Sequence, residues 1–154
     1  MMAGMSSALR LPSADTPFTN PLDGLLGYQL RRASAVMLAD LSETLADLDL
    51  TVTEVSILLQ IDANPDITQS DIGRILAIKR ANMAPMTAAL QERGFLDRVA
   101  ADGRSQSLRL TERGRTICNE VRDRISRHEA RFLPDISPAE REALIEMLAL
   151  IWVG

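Results

Sequence analysis

Three arginines able to bind a polyanion stand within one short stretch of this 154-residue chain: Arg98, Arg104 and Arg109. Two runs of strand-favouring residues, Phe95–Ala100 and Gln106–Leu110, flank an Asp102-Gly103 pair, which is favoured in tight hairpin turns. Thr111 follows and offers an N-cap to a helix. The spacing predicts a small arginine-bearing hairpin between helices, as in a winged helix-turn-helix, and indicates a DNA-binding module.

The charges are unevenly distributed along a chain whose formal net charge is −4. No basic residue falls between Arg32 and Arg74, whereas eight acidic residues do. From Arg74 to Arg115, nine basic residues stand against four acidic ones. Because phosphate binding depends on local charge, an acidic protein with this basic segment can still bind a polyanion.

Capping signals predict the helices in front of the hairpin. Thr51–Glu54 and Thr68–Asp71 have the form of capping boxes with hydrophobic staples around them. Asn64–Asp66 between them predicts a turn. A third helix ends before Gly94 and is expected to turn three apolar side chains inward: Met83, Met86 and Leu90. Three helices closed by a hairpin have the order of a winged helix domain.

Longer helices are predicted on either side of this domain. Apolar residues recur every three or four positions from Pro21 to Leu48, which suggests a helix shared with a partner chain; an ordinary core helix is the alternative. A second long helix starts at Thr111 and is broken by Pro134. Ser137–Glu140 is a capping box for a closing helix that is expected to bury Leu144, Ile145, Leu148 and Ile151.

Several of these segments, in this order, resemble the MarR family of transcriptional regulators. The most specific is Asp102-x-Arg104-x-x-x-Leu108-x-Leu110-Thr111-x-x-Gly114, which matches the family's wing signature. Supporting matches are Leu50–Glu54, Thr68–Ile72 and Leu90–Phe95. The resemblance extends from about Pro21 to the C-terminus. It implies a mainly α fold with a small β-hairpin wing, in which a winged helix-turn-helix core is flanked by N- and C-terminal dimerisation helices.

The resemblance also implies a division of the chain and a set of partners. The composition of residues 1–20 predicts a flexible arm. The resemblance assigns 49–114 to a DNA-binding lobe and 21–48 with 115–154 to a dimerisation region. Family members are homodimers, most of them repressors that bind a pseudo-palindromic operator and are released by a small ligand. We therefore expect double-stranded DNA, a second copy of the chain, and an effector such as an aromatic carboxylate or its coenzyme A thioester. A winged helix used only as a protein-interaction module is the alternative.

The resemblance assigns DNA contacts to the wing and to the recognition helix. Arg104 is expected in the minor groove, and Asp102 in support of the turn that presents it. Four residues at helix starts are expected near phosphates: Gln69, Ser70, Lys79 and Arg80. Asn82 either binds adenine or caps the recognition helix, and Thr87 is expected to face outward. Two hairpin arginines are expected at the DNA backbone: Arg98 and Arg109.

Two positions depart from the family's pattern. Gly103 stands where the wing commonly has an arginine, which removes a charge but eases the turn. Pro85 stands within the recognition helix, although proline is tolerated only in a helix's first turn. The helix therefore either starts late, with Asn82 as its cap, or is kinked.

Effector-binding candidates lie on the two long helices: Tyr28, Arg31, Arg32 and His128. An arginine beside a tyrosine can anchor a carboxylate or a phosphate; surface or dimer contacts are the alternative. His128, the single histidine, is either a packed residue of an apolar stripe or a pH- or ligand-responsive group. No metal site and no cofactor are expected, because no second histidine or cysteine pair accompanies it.

Other classes of protein are disfavoured. Cys118, the single cysteine, cannot form an internal disulfide and is expected to pack as a small hydrophobe, which is compatible with a reducing cytoplasm. No signal peptide or membrane-spanning apolar run is expected. No nucleophile–base arrangement, phosphate-cradling glycine loop or carboxylate pair suggests an enzyme.

Overall fold

The computed structural model describes residues 17–100 and 106–152, and the chain divides into two compact units, Met1–Ala39 and Asp40–Gly154. The elements follow in the order α1 Leu26–Leu45, a 3₁₀ turn Ala46–Leu48, α2 Val52–Ala63, α3 Gln69–Ile75, α4 Arg80–Glu92, β1 Leu96–Ala100, β2 Gln106–Leu110, α5 Glu112–Phe132 and α6 Pro138–Trp152. The predicted fold, mainly α with a two-stranded hairpin, is confirmed.

The first helix begins later than the sequence pattern suggests. The predicted start was Pro21, but residues 21–24 form a turn and α1 begins at Leu26. Asn20 explains the difference, because its side-chain Oδ1 accepts a hydrogen bond from the Leu22 N–H at 3.1 Å. Its backbone carbonyl also accepts from the Asp23 N–H. These bonds favour a turn after Asn20, so the helix starts only beyond it.

The hydrophobic core lies within the second unit, among the C-terminal end of α1, helices α2, α3, α4 and α5, and the hairpin. Its most completely buried aliphatic side chains are Leu45, Ile57, Leu58, Ile72, Met83, Leu90, Leu96, Leu108 and Val121. Burial of each such side chain contributes about 1.5–3 kcal/mol. The helix-turn-helix and the hairpin are therefore held in one packed body by aliphatic contacts.

The predicted capping boxes at the starts of α2 and α3 are complete. Thr51 Oγ1 accepts from the Glu54 N–H at 3.2 Å, and the Glu54 carboxylate accepts from the Thr51 N–H at 2.8 Å. Thr68 and Asp71 repeat the arrangement at the start of α3. A capping side chain of this kind stabilises a protein by about 1 kcal/mol. Helices α2 and α3 consequently start where the sequence indicates.

The hairpin is fixed to the start of α3. Strands β1 and β2 pair antiparallel along their whole length. A bridge joins Thr68 to Ser107, and the Leu108 N–H donates to the Ile67 carbonyl at 2.9 Å. The base of the wing therefore has a defined position against the helix-turn-helix. The predicted Asp102-Gly103 turn lies outside the described residues.

Gly114 allows α5 to pack directly against the start of the hairpin. A Cβ atom at Gly114 would lie 2.0 Å from the Phe95 carbonyl oxygen, a backbone atom that cannot rotate away. The Thr111 hydroxyl donates to the Gly94 carbonyl at 2.7 Å and accepts from the Gly114 N–H at 3.0 Å. The threonine and glycine of the wing signature thus join α5 to the hairpin.

The closing helix is not buried as predicted. The Ser137–Glu140 capping box is present, but none of the α6 residues that the structure describes is buried. Leu144 is only partly buried. The other predicted core residues and their neighbours are exposed: Ile145, Met147, Leu148, Leu150, Ile151 and Trp152. The prediction was wrong for the single chain, because no described element of the chain covers this apolar surface.

Candidate nucleic-acid interface

A tight turn joins α3 to α4. A Cβ atom at Gly73 would lie 3.1 Å from the Ile78 carbonyl oxygen and 3.3 Å from the Met83 side chain. Ala77 in the turn has φ of 53°, in the left-handed region that non-glycine residues seldom adopt. The Ile78 N–H donates to the Gly73 carbonyl at 2.8 Å. The glycine thus lets the start of α4 lie close against α3.

The N-terminal end of α4 is basic and exposed. Lys79 is the N-cap residue, Arg80 is the first helical residue and Asn82 is the third. All three side chains are exposed. Free N–H groups and the helix dipole add positive potential at this end to the charges of Lys79 and Arg80. This end of α4 can therefore hold phosphate oxygens.

A cleft of ≈ 240 Å³ opens between α3 and α4 beside this end, lined by Gln69, Ser70, Gly73, Arg74, Ile78, Arg80 and Met83. Arg74 was not among the predicted site residues. Its side chain is 78% exposed and donates to Asp71 at 3.3 Å. The sequence signal was its position four residues after Ser70, on the same face of α3. The basic surface therefore extends across both helices.

The start of α4 excludes one of the two alternatives for the recognition helix, the late start. Helix α4 starts at Arg80 with Lys79 as its N-cap, so the prediction that Asn82 caps a late-starting helix is wrong. Pro85 lies inside the helix, which continues to Glu92, and has no N–H to donate to the Ala81 carbonyl. Ala81 and Pro85 are both exposed, so a water molecule can donate to the Ala81 carbonyl in place of the missing N–H. The adenine contact of Asn82 stays a prediction.

Thr87 faces inward, contrary to the prediction. Its side chain is fully buried, and its hydroxyl donates to Gln69 Oε1 at 2.9 Å. Arg98 donates through Nη2 to the Thr87 hydroxyl at 3.1 Å and through Nε to Gln91 Oε1 at 3.1 Å. Arg98 Nη2 also lies 3.3 Å from Gln69 Oε1. Thr87 therefore belongs to a polar network, made of Gln69, Thr87, Gln91 and Arg98, that joins α3, α4 and β1.

The two described hairpin arginines are engaged with other parts of the protein. Arg98 is held by the polar network, and Arg109 forms an ion pair with Asp66 in the turn between α2 and α3, at 2.5 Å. Both partners of that pair are more than half exposed, so the pair is worth about 0–1 kcal/mol and can be exchanged for a phosphate. Asp102 and Arg104 lie outside the described residues, and their roles stay predictions.

Known proteins with the same architecture identify the family. The model of the MarR family matches residues 50–105. The structure of the transcriptional repressor CouR bound to a 23-mer DNA duplex is 36% identical in sequence, covers 88% of this chain and 99% of its own, and has a TM-score of 0.80. The chain belongs to the MarR family. Its resemblance to these regulators, first indicated by the wing signature, is confirmed.

Other MarR-type relatives agree with this assignment. The HTH-type transcriptional repressor Rv2887 of Mycobacterium tuberculosis is 29% identical over 123 residues, which are 78% of this chain and 88% of that protein. CouR bound to p-coumaroyl-CoA is 36% identical, covers 88% of this chain and 97% of its own, and has a TM-score of 0.74. The MarR-family chain is thus a DNA-binding transcriptional regulator, and the relatives are regulators as well.

Among the predicted effector residues of this MarR-family chain, Tyr28 is surrounded by two arginines in the first unit. The guanidinium carbons of Arg31 and Arg32 lie 5.4 and 5.7 Å from the centre of its ring. Arg32 donates to the Tyr28 hydroxyl at 3.2 Å, and Asn20 lies at 3.4 Å from it. Two hydrogen bonds to the Tyr28 hydroxyl lower its pKa, the bond from Arg32 more than the bond from Asn20. The cluster offers positive charge beside an aromatic ring.

His128 lies in the second unit and is packed. It is 3% exposed, its Nδ1 lies 2.7 Å from an Asp40 carboxylate oxygen, and its ring meets Phe132 edge-on at 5.0 Å. Arg131 donates to the same carboxylate. A cleft of ≈ 610 Å³ beside it is lined by Thr44, Glu120, Arg124, Arg127, His128, Ala130 and Arg131. The imidazole therefore has a protein partner and borders a basic cleft.

Cys118 is 1% exposed, and burial, followed by the charge of Asp62, raises the pKa of its thiol to about 11. It is the packed small hydrophobe that the sequence indicates. Within residues 17–100 and 106–152, no three metal-ligating side chains cluster together. No helix in the same ranges is long and apolar enough to cross a membrane.

Proposed function

We propose that this MarR-family chain is a homodimeric repressor that binds a pseudo-palindromic operator through α4 and the wing, and is released by a small aromatic effector. The observation that carries the proposal is the exposed basic end of α4. Neither Lys79 nor Arg80 has an ion-pair partner within the described residues. CouR, whose DNA complex has the same fold, supports placing this end at the duplex. Because such a repressor acts on chromosomal DNA, we expect the protein in the cytoplasm.

A dimer is supported by the apolar surface of α6. Leu150 and Trp152 are 80% and 76% exposed, and Ile145, Met147, Leu148 and Ile151 are exposed beside them. Exposed aliphatic surface of this extent marks an interaction site, because its burial contributes about 25 cal/mol per Å². Two subunits related by a twofold axis would place their α4 helices about 10 bp apart, on successive major grooves.

The dimer is tested by light scattering of the purified chain at micromolar concentration. We expect about twice the mass of one chain, 16.9 kDa. Ile151→Glu should shift the mass toward the monomer because it places a charge in the buried surface. Glu146→Gln on the same helix serves as the control and should leave the mass unchanged. A monomeric wild-type protein would refute the proposal.

DNA binding is tested by fluorescence anisotropy with duplexes from upstream of the protein's own gene. If Lys79, Arg80 and Arg104 contact phosphate in both subunits, log K against log salt should have a slope of roughly −5. Arg80→Ala should weaken binding and make the slope less steep by about 2. Arg122→Ala removes an arginine that is paired with Asp62 and is the matched control. Equal slopes for all three proteins would remove α4 from the interface.

An effector of the aromatic carboxylate or coenzyme A thioester class is supported by two relatives. The structure of CouR, 36% identical to this chain, contains p-coumaroyl-CoA, and that of Rv2887, 27% identical, contains salicylic acid. Tyr28, Arg31 and Arg32 offer an aromatic ring and positive charge for such ligands. We expect p-coumaroyl-CoA or salicylate to raise the melting temperature and to release the duplex.

The effector residues are tested with matched arginine variants. Arg32→Gln should reduce the ligand-induced rise in melting temperature, whereas Arg141→Gln on α6 should not. If both variants respond as the wild type does, Arg32 is not part of the effector site. A winged helix that binds only protein is the less favoured alternative, and a complete failure to bind duplex at low salt would revive it.

A further inference from the structure

Helix α4 has two sides of opposite character. Four residues spaced at i, i+3, i+4 and i+7 are buried or partly buried: Met83, Met86, Thr87 and Leu90. Four others with the same spacing are exposed: Ala81, Ala84, Pro85 and Ala88. Because residues at this spacing lie on one side of a helix, the exposed four form a continuous surface. We call this surface the apolar face of α4.

The apolar face differs from an ordinary solvated helix surface, which carries charged and polar side chains. None of its four side chains can donate or accept a hydrogen bond. Pro85 also removes a backbone N–H from the helix. Each side chain extends only one to three carbon atoms from the backbone, so a partner can approach the helix closely. The face therefore suits contact with small apolar groups rather than hydrogen-bond donors or acceptors.

Charge indicates which partner lies on this face. Lys79 and Arg80 stand at its N-terminal end, and Arg74 of α3 lies beside the same end. Glu92 is the last residue of α4, and its carboxylate at this C-terminal end would be repelled by phosphate. The face thus begins among cations and ends at an anion. This arrangement fits a helix that enters a DNA groove with its first two turns.

We propose that the apolar face recognises the 5-methyl groups of thymine in the major groove, which rests on the proposed function of α4 as the recognition helix. The thymine methyl is the apolar group that bases present at the major-groove edge, and alanine side chains contact it. Asn82, exposed beside the face, supplies hydrogen bonds that suit adenine. Together they specify A·T base pairs opposite the first two turns of α4, with direct base contacts made mainly through methyl groups.

Replacement of thymine by deoxyuridine tests this proposal, because it removes the methyl group and keeps every hydrogen-bonding atom. Binding duplexes are first selected from a random pool by the full-length protein. Each thymine of a selected half-site is then replaced in turn, and Kd is measured by anisotropy. Burial of one methyl group corresponds to a change of about fourfold in Kd. We expect one or two positions per half-site to show such a loss, and the other thymines to show none.

Variants of the face show whether α4 makes these contacts. Ala81→Gly, Ala84→Gly and Ala88→Gly each remove one methyl from the protein side, and Ala63→Gly on α2 is the matched control. Removing the alanine methyl or the thymine methyl abolishes the same contact, so the two losses of affinity must be non-additive when both methyls are removed. At least one face variant should lose affinity for the thymine duplex and become insensitive to deoxyuridine at one position. The control should respond to deoxyuridine as the wild type does.

The remaining outcomes would overturn the proposal. Deoxyuridine without effect at every position means that no thymine methyl is recognised. A loss of equal size in the wild type, in all three alanine variants and in Pro85→Gly assigns the methyl contact to another element. In both cases the protein still binds duplex and the proposed function stands. Failure to select any duplex removes the proposed function, and this inference with it, which is a distinguishable result.

Discussion

The buried hydroxyl of Thr87 gives a sharp test of the polar network between α3, α4 and β1. Thr87→Val keeps the shape of the side chain and removes only the hydroxyl. The substitution deletes the bond to Gln69 Oε1 at 2.9 Å and the bond from Arg98 Nη2 at 3.1 Å. The residues that lose a partner, Gln69 and Arg98, are only partly buried, so water can replace part of what these bonds contribute.

The expected loss follows from the two bonds. A neutral hydrogen bond contributes about 1 kcal/mol, and a bond from a charged group about 1.5–3 kcal/mol. Arg98 Nη2 stays within 3.3 Å of Gln69 Oε1, which compensates part of the loss. We therefore expect the free energy of unfolding to fall by about 2 kcal/mol, and the melting temperature by about 4–8 °C. DNA binding should also weaken, since Arg98 fixes the hairpin against α4.

The measurement is urea denaturation at one fixed protein concentration, because the chain is proposed to be a dimer. Thr116→Val is the matched control, because the Thr116 hydroxyl donates to the Glu112 carbonyl of its own exposed helix turn, at 3.1 Å. The control should change the free energy of unfolding by less than about 0.5 kcal/mol. If Thr87→Val is no more destabilising than Thr116→Val, the network does not hold these elements together.

Three further predictions concern stability and reactivity. Gly114→Ala should destabilise the fold by more than about 3 kcal/mol in urea denaturation, since its Cβ would meet the Phe95 carbonyl at 2.0 Å, whereas Gly27→Ala on α1 has open space and should be tolerated. Cys118 should react with a thiol reagent at pH 8 only as fast as the protein unfolds, because its side chain is 1% exposed and its pKa is raised to about 11; fast labelling of folded protein would contradict this. Hydrogen bonds from the Thr68 hydroxyl and N–H, with the Arg74 charge, lower the pKa of Asp71. Its contribution to stability is therefore present above about pH 4 and lost as the pH falls through the folded pKa, and Asp71→Asn should lessen the acid sensitivity of unfolding.

Features that depend on neighbouring residues were predictable from the sequence. The capping boxes at Thr51 and Thr68 and the N-cap at Thr111 involve partners three residues away, so their spacing determines the helix starts. The antiparallel hairpin follows from two β-favouring runs around a turn. Gly114 was marked only by its place in the wing signature, and its physical reason, the approach of the Phe95 carbonyl 19 residues away, came from the structure.

Features that depend on distant partners were not predictable. Thr87 is polar, so hydrophobic periodicity assigns it to the outside of α4. Its burial depends on Gln69 and Arg98, which lie 18 and 11 residues away and belong to other elements. The exposure of α6 has a similar cause, since an apolar stripe specifies that a surface is covered but not which chain covers it. One local feature was also missed: the side chain of Asn20 bonds the Leu22 N–H and delays the start of α1, which hydrophobic periodicity does not predict.

The acidic and basic segments of the chain form one electrostatic arrangement. Arginines of the basic segment pair with carboxylates of the acidic segment: Arg74 with Asp71, Arg93 with Glu54 and Asp49, and Arg109 with Asp66. Three of the eight described basic residues from Arg74 to Arg115 are thus in ion pairs within the lobe. Lys79 and Arg80, at the dipole end of α4, are not in these pairs. Ion pairing lowers the net charge of the arginines around Lys79 and Arg80 without removing it, so these two residues, together with the dipole of α4, contribute most to the positive potential at the end of α4 that is proposed to meet the groove.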